Sequence, residues 1–324
     1  MFIKKPVESK YLTSTLMYLD DWISVSISGR DTIKYLQSQL TLDLTSINEN
    51  QHYMAAHCNS FGKMLSNLRL FYFGKTLTYI IRKELLKFQL TELKKYAIFS
   101  EIKFSYGDKL LLGFAGYKSE KILKHVFEKV PNHKIPVVQN NDTAILWFKN
   151  PIERFLIVTN SNKINVLKKH LMCYQTQFSD NQQWLALDIE SGIPIIDIKN
   201  SGKFIPQATN LHMLNAISFN KGCYIGQETI ARAKYLGINK YRLCWLTGQC
   251  KNLPSANDQL EIKANNIWRC TGKVLASVKL DNNLSWIQAV LDKNVHVGNV
   301  LRAQQDNTGY LKIKSLPYLL EYTK

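Results

Sequence analysis

Apolar residues stop recurring at helical spacing near residue 240, and that break constrains the fold more than any other feature of the chain. Beyond it come short alternating runs at Tyr241–Leu246, Gln259–Ile262 and Gly272–Val278, punctuated by turns such as Asp281-Asn282-Asn283. Short strands with polar turns and no helix read as a small β-barrel. Before the break, strand and helix signals are mixed. Ile23, Val25 and Ile27 alternate with Trp22, Ser24, Ser26 and Ser28, which predicts a strand. Gly29 and Asp31 open a helix carrying Ile33, Leu36 and Leu40 on one face. Residues 67–82 read as a hairpin turning at Gly74-Lys75, with Leu68, Leu70, Leu77, Tyr79 and Ile81 on one side. Helices follow at Leu86–Ala97, from Ser119, and at Ile164–Leu171, with strands at 102–106, 110–114 and 155–158 between them. A last helix starts at Ser179 as N-cap, with Gln182 in the capping-box position, and stops at Gly192 and Pro194. Its face carries Trp184, Leu187 and Asp188. This mixture implies an α+β class rather than a doubly wound sheet. At 324 residues the chain exceeds one hydrophobic core, so two or three domains are expected.

The formal net charge is +17. Its lysines are scattered, and pairs such as Lys94-Lys95 and Lys168-Lys169 fall on solvated helix faces, so the charge is a weak pointer to an acidic partner such as RNA or a polyglutamylated ligand. The run Leu77–Ile81 ends at Arg82-Lys83-Glu84, too short to cross a bilayer, and Met1–Asp21 has no secretory pattern. No membrane partner is expected. The six cysteines have no CxxC pair and no metal-finger spacing, which implies reduced thiols, a cytoplasmic location and no metal site.

One octapeptide carries chemistry: Lys221-Gly222-Cys223-Tyr224-Ile225-Gly226-Gln227-Glu228, just ahead of a predicted helix. A thiol beside a lysine at a helix start sits in a positive field that favours the thiolate. Flanking glycines allow a tight turn or close approach of a ligand. The same residues also suit a structural cysteine between two turn glycines.

The octapeptide resembles the signature of the YgfZ family of folate-binding proteins, in the glycine-cleavage T-protein superfamily. Similar blocks lie at Asp20-Asp21-Trp22, Tyr35–Gln39, His57-Cys58, Gly62–Leu70, Trp184–Asp197, Ser201–Leu211, Ala231–Tyr235 and Asn239-Lys240. The resemblance covers most of residues 20–245. It implies a three-domain T-protein-like ring around a folate cleft with a C-terminal β-barrel: residues 1–50 plus 135–238 as a discontinuous folate-binding α+β domain, 51–134 as an inserted ferredoxin-like α+β domain, and 239–324 as the barrel. It implies tetrahydrofolate or another reduced folate as cofactor, bound by Trp22, Trp184 and Glu190. The residues alone also allow core roles for both tryptophans and a solvated helix-end charge for Glu190. T-proteins lean on an aspartate in the segment matching Gly62–Leu68, where this chain has Ser66 and Asn67, and neither can take up a proton near neutral pH. The implied role is support of iron–sulfur enzymes and of tRNA thiolation. Iron–sulfur enzymes or assembly factors would be the partners, and contact with tRNA indirect or weak. Cys223 would act as nucleophile, redox group or transient cluster ligand, with Lys221 lowering its pKa. Whether this is catalysis stays open. A folate-dependent aminomethyl- or methyltransferase and an RNA-binding module are the alternatives.

Overall fold

The computed structural model describes residues 4–265, 267–304 and 306–318, so residues 1–3 and 319–324 of the expected first and last domains lie outside the described residues. Two open sheets and a barrel organise the chain. The first sheet runs β11 (Gln177–Ser179), β1 (Thr15–Tyr18), β7 (Lys109–Ala115), β10 (Arg154–Asn160), β9 (Thr143–Phe148), β8 (Val137–Asn140). The second runs β3 (Tyr53–Cys58), β4 (Met64–Phe73), β5 (Thr76–Arg82), β2 (Trp22–Ser28), β6 (Lys103–Tyr106). The barrel closes as β12 (Tyr241–Gln249), β15 (Ser285–Asp292), β14 (Ile267–Lys279), β13 (Gln259–Ala264), β16 (Leu301–Ala303), β17 (Tyr310–Lys314). The helices are α1 (Thr32–Gln37), α2 (Leu86–Lys94), α3 (Ser119–Val126), α4 (Ile164–Met172), α5 (Asn181–Ser191) and α6 (Gln227–Tyr235). The expected α+β class with a terminal barrel is what forms.

Strand pairing runs across both residue 51 and residue 134. Strand β2 pairs with β5, so Trp22–Ser28 shares a sheet with residues 53–82, and β7 pairs with β1 and β10 in the other sheet. The expected capping box at Ser179 and Gln182 does not form; the cap is one residue later, and Gln183, at the reciprocal position, bonds the Val7 backbone instead. Asp180 is the N-cap of α5 and accepts from the Gln182 amide at 2.9 Å, while the Ser179 hydroxyl donates to the Lys4 carbonyl. Gly192 ends the helix in the left-handed region at φ 68°, as the sequence requires.

Alternation along the second sheet decides where the cleft lies. Ile23, Val25, Ile27, Leu68, Leu70, Leu77, Tyr79 and Ile81 pack into one core with α1, α2 and the irregular segment from Ile196 to Tyr224. The opposite face carries Trp22, Asn67, Arg69, Phe71, Ile80 and Arg82. Phe71 and Ile80 join Met17, Leu111, Leu146, Val158, Trp184 and Leu187 in the core shared with the first sheet. Helix α5 lies in that seam. Its far side packs Leu185, Ala186 and Ile189 against Ala276, Val278 and Trp286 of the barrel. Each fully buried side chain of this kind contributes roughly 1.5–3 kcal/mol. Among the described residues, no helix is long and apolar enough to cross a membrane.

His57 in β3 is 1% exposed, and its Nδ1 has no hydrogen-bond partner. Burial pushes its pKa down to about 4. Histidine in an unfolded chain titrates near about 6.5. Between these values the unfolded chain holds the extra proton, so stability rises with pH across the window and is lost as pH falls through it. Urea unfolding of the wild type should show roughly 2 kcal/mol more loss between pH 7 and pH 5 than His57→Met does. Equal losses would contradict the assignment.

Candidate functional site

A slender cleft opens between the polar-facing side of the second sheet and α5, lined by Trp22, Asn67, Arg69, Arg82, Trp184 and Asp188 together with apolar residues including Met54, Ile80, Phe148 and Ile193. Trp22 and Arg82 are directly opposed across β2 and β5. The Arg82 guanidinium therefore lies 4.3 Å from the Trp22 ring centre. It is held there by Asp197, at 2.7 Å from Nε, and Asp21, at 3.3 Å from Nη2. Its Nη1 is buried with no partner. Asn67 donates from Nδ2 to the Pro194 carbonyl at 2.7 Å.

Trp184 forms the opposite wall and is 2% exposed. Arg154 lies 4.4 Å from its ring centre, and Phe148 meets it edge-on at 5.7 Å. Gly113 of β7 makes the fit possible, because a Cβ there would collide with the indole. Asp188 comes one helical turn after Trp184, so the two share a face of α5. Arg154, fully buried, donates to Asp188 Oδ1 at 2.7 Å and to the Ser191 hydroxyl at 3.2 Å. Burial pushes the Asp188 carboxyl up, while Arg154, Arg69 and Arg82 pull it down. A guanidinium cannot shed its proton, so Asp188 stays a carboxylate as its counter-charge.

The sequence-predicted residues fall in three places. Trp22 and Trp184 meet at the cleft. Glu190, six positions beyond Trp184, leaves that helix face and is not among the cleft-lining residues; its Oε1 accepts from the Ser9 hydroxyl at 2.8 Å. Burial pushes Glu190 up, partly offset by the bonds from Ser9. Cys223 is exposed and also does not line the cleft. Lys221 reaches the backbone around the end of α1. Its ammonium donates to the carbonyls of Gln37, Leu40 and Leu42, each at 2.7 Å. Burial pushes its pKa down to about 8, with Asp43 pulling the other way. Arg69, Arg82 and Asp188 are the charged groups that sequence reasoning missed. The parity of β4 and β5, and the one-turn offset from Trp184, carried the signal.

The rest of the octapeptide is docking hardware. Tyr224 is buried in the same core as Cys58, whose thiol burial pushes far up. The Ile225 amide donates to the Ser38 carbonyl at 3.0 Å. Gly226, at φ 80°, precedes α6, and a Cβ on it would strike the Asn59 carbonyl and the Gly62 backbone. On α6 itself, Arg232 pairs with Glu228 at 3.7 Å on an exposed face, and Lys234 lies 3.8 Å from the Phe219 ring centre. Among the described residues no group of three or more His, Cys, Asp or Glu is placed to hold a metal.

Lys221→Met leaves three inward-facing carbonyls without a donor and should cost on the order of 3 kcal/mol in urea unfolding. Gly226→Ala should destabilise by at least about 1 kcal/mol, through both its φ and the collision. Cys223→Ala should stay within about 0.5 kcal/mol of wild type. A large loss for Cys223→Ala would make the thiol a packing residue.

Comparison with known proteins agrees with this architecture. Residues 239–306 match the family described as YgfZ, beta-barrel domain. The tRNA-modifying protein YgfZ of Yersinia pseudotuberculosis serotype O:1b (strain IP 31758) is 47% identical over 320 residues, covering 98% of this chain and 97% of the relative. Its namesake from Yersinia enterocolitica serotype O:8 / biotype 1B is 47% identical over 317 residues, covering 98% and 96%. Among solved structures, the glycine cleavage system aminomethyltransferase T from Bartonella henselae aligns with a TM-score of 0.74 over 96% of this chain and 88% of that one, at 13% identity, a likeness of fold. Identity near one half along almost the full length of both sequences settles the matter of kinship: the chain belongs to the YgfZ family.

Proposed function

We propose that this protein binds a reduced folate and works in the cytoplasm as an accessory factor for tRNA modification and for the assembly or repair of iron–sulfur enzymes, with Cys223 as its working thiol. The observation that carries the reading is the cleft itself. A pteridine is flat and has an edge of ring N–H donors and carbonyl acceptor. The cleft offers the Trp22 ring, Asp188 as acceptor, the Asn67 amide oxygen and the unpaired Arg82 Nη1 as donor. These residues suit such a ring, with a buried carboxylate against its donors and a guanidinium against its carbonyl. Trp184 forms the opposite wall, and Glu190 contributes by holding the N-terminal segment through Ser9. A reduced folate would supply one-carbon or reducing chemistry; the chain's own residues position and enclose it.

Methyl or aminomethyl transfer is the weaker reading. Ser66 is fully buried with its hydroxyl unpartnered, and Asn67 is held by Pro194, so that segment brings no carboxylate to the cleft. Asp188 is committed to Arg154. The curated relatives carry the name tRNA-modifying protein, which supports a role in tRNA modification here. The six cysteines are free thiols, and Cys223 alone cannot hold a cluster, which needs about four thiolates. The remaining ligands must come from a partner, and an exposed thiol is placed to meet one. A plain RNA-binding module has only the scattered positive charge to support it.

Titration with tetrahydrofolate, followed by tryptophan fluorescence, tests the cleft. Trp22→Ala should weaken binding roughly tenfold. Unchanged affinity in Trp22→Ala would sink the pteridine assignment. Cys223→Ala should bind folate normally yet fail to restore tRNA thiolation in a deletion strain. Full complementation would remove the thiol from the mechanism.

A further inference from the structure

A second, outer cavity adjoins the cleft and shares four of its lining residues: Met54, Arg69, Phe148 and Ile193. Arg69 thus lines both spaces. Its partners define its state. His52 Nε2 lies 2.6 Å from the Trp147 carbonyl oxygen, so that nitrogen must carry a hydrogen. Burial and the neighbouring Arg69 push the His52 pKa down to about 3, leaving the ring neutral. Its Nδ1 is therefore an acceptor, and Arg69 Nη1 donates to it at 3.3 Å. That bond neutralises nothing. Among the described residues, Arg69 has no carboxylate within ion-pair distance. The closest influence, Asp188, is bonded to Arg154, and Arg82 has Asp21 and Asp197.

The outer cavity continues this imbalance. Its charged lining residues are Arg69 and the exposed Lys149, with no Asp or Glu among the rest. Glu153 lies nearby, but its Oε1 accepts from Trp147 Nε1 at 2.6 Å, and it does not line the space. Arg69 cannot relax by moving far. Its guanidinium lies 5.0 Å from the Phe148 ring centre, and Phe148 is itself stacked on His52 at 4.7 Å. A guanidinium kept partly out of water without a counter-ion is costly unless a ligand supplies one.

We propose that the cleft and the outer cavity form one channel, and that Arg69 at their junction receives a carboxylate borne on a tail of the ligand whose ring lies against Trp22. Lys149 then meets further carboxylates outside. The ligand class is an aromatic ring with an anionic tail, and a longer acidic tail binds better than a short one. This rests on the pteridine reading of the cleft and adds a direction and a charge requirement to it.

Three probes separate the two ideas: 6-methyltetrahydropterin, which has no tail, tetrahydrofolate with one glutamate, and tetrahydrofolate with three. Each is titrated by tryptophan fluorescence against wild type, Arg69→Gln and Lys149→Gln. Glutamine at 69 can still donate to His52 while losing the charge. Wild type should bind the tailed probes at least tenfold more tightly than the tailless one. Arg69→Gln should lose roughly tenfold for tailed probes and nothing for the pterin. Lys149→Gln, at an exposed site that folding does not need, should narrow the gap between three glutamates and one. Tailed and tailless probes of equal affinity, or an equal loss for all three in Arg69→Gln together with no effect of Lys149→Gln, would overturn the channel while leaving the pteridine site standing. Failure of all three probes to bind wild type overturns both and marks the pteridine reading as the fault.

Discussion

A guanidinium with no access to water must keep a counter-charge, and in this molecule Arg154 keeps Asp188. The pair joins β10 of the first sheet to α5, the helix wedged between both sheets and the barrel. Arg154 also donates to the Asn150 carbonyl and the Ser191 hydroxyl, so its position is fixed from three directions. Breaking such a pair from one side typically costs about 3–5 kcal/mol, because a bare charge is left behind. Its consequences reach the cleft directly. Arg154 covers one side of Trp184, and Asp188 is turned into the cavity as an ionised acceptor. The wall facing Trp22 is thus built on a buried ion pair.

The octapeptide separates into scaffold and chemistry. Lys221 fastens the loop to the carbonyls after α1, Tyr224 anchors it in the core, and Gly226 lets it meet the Asn59–Gly62 turn backbone to backbone. Once each of these has its structural reason, Cys223 is left exposed with none. The Lys221 ammonium itself is held by three backbone carbonyl oxygens. The thiol's asset is accessibility on a rigidly docked loop.

Charge tells two different stories. Most of the +17 lies on scattered surface lysines, and several exposed ones sit in local pairs such as Lys95–Glu92 and Lys124–Glu120. Exposed pairs of this kind contribute little. The cleft has few charges but little water to screen them, and there Arg69, Arg82, Arg154 and Asp188 act on one another at short range. Composition counts the first group and is blind to the second.

Local patterns fixed what local physics controls. Alternation identified β2, the β4–β5 hairpin and the barrel strands. Gly192 marked the end of α5, because only a residue tolerant of φ 68° ends a helix that way. A long block of similar residues identified the family. Trp22 and Trp184 both line the cleft. What the sequence could not settle was which segments share a sheet, because pairing of β2 with β5 and of β7 with β1 is a long-range choice paid for by burial on both faces. The roles of Lys221 and Glu190 were hidden for the same reason: three distant carbonyls and Ser9 sit beside them only after folding. Arg69 stood unnoticed in a strand until the tertiary structure placed it beside two cavities with no ion-pair partner among the described residues.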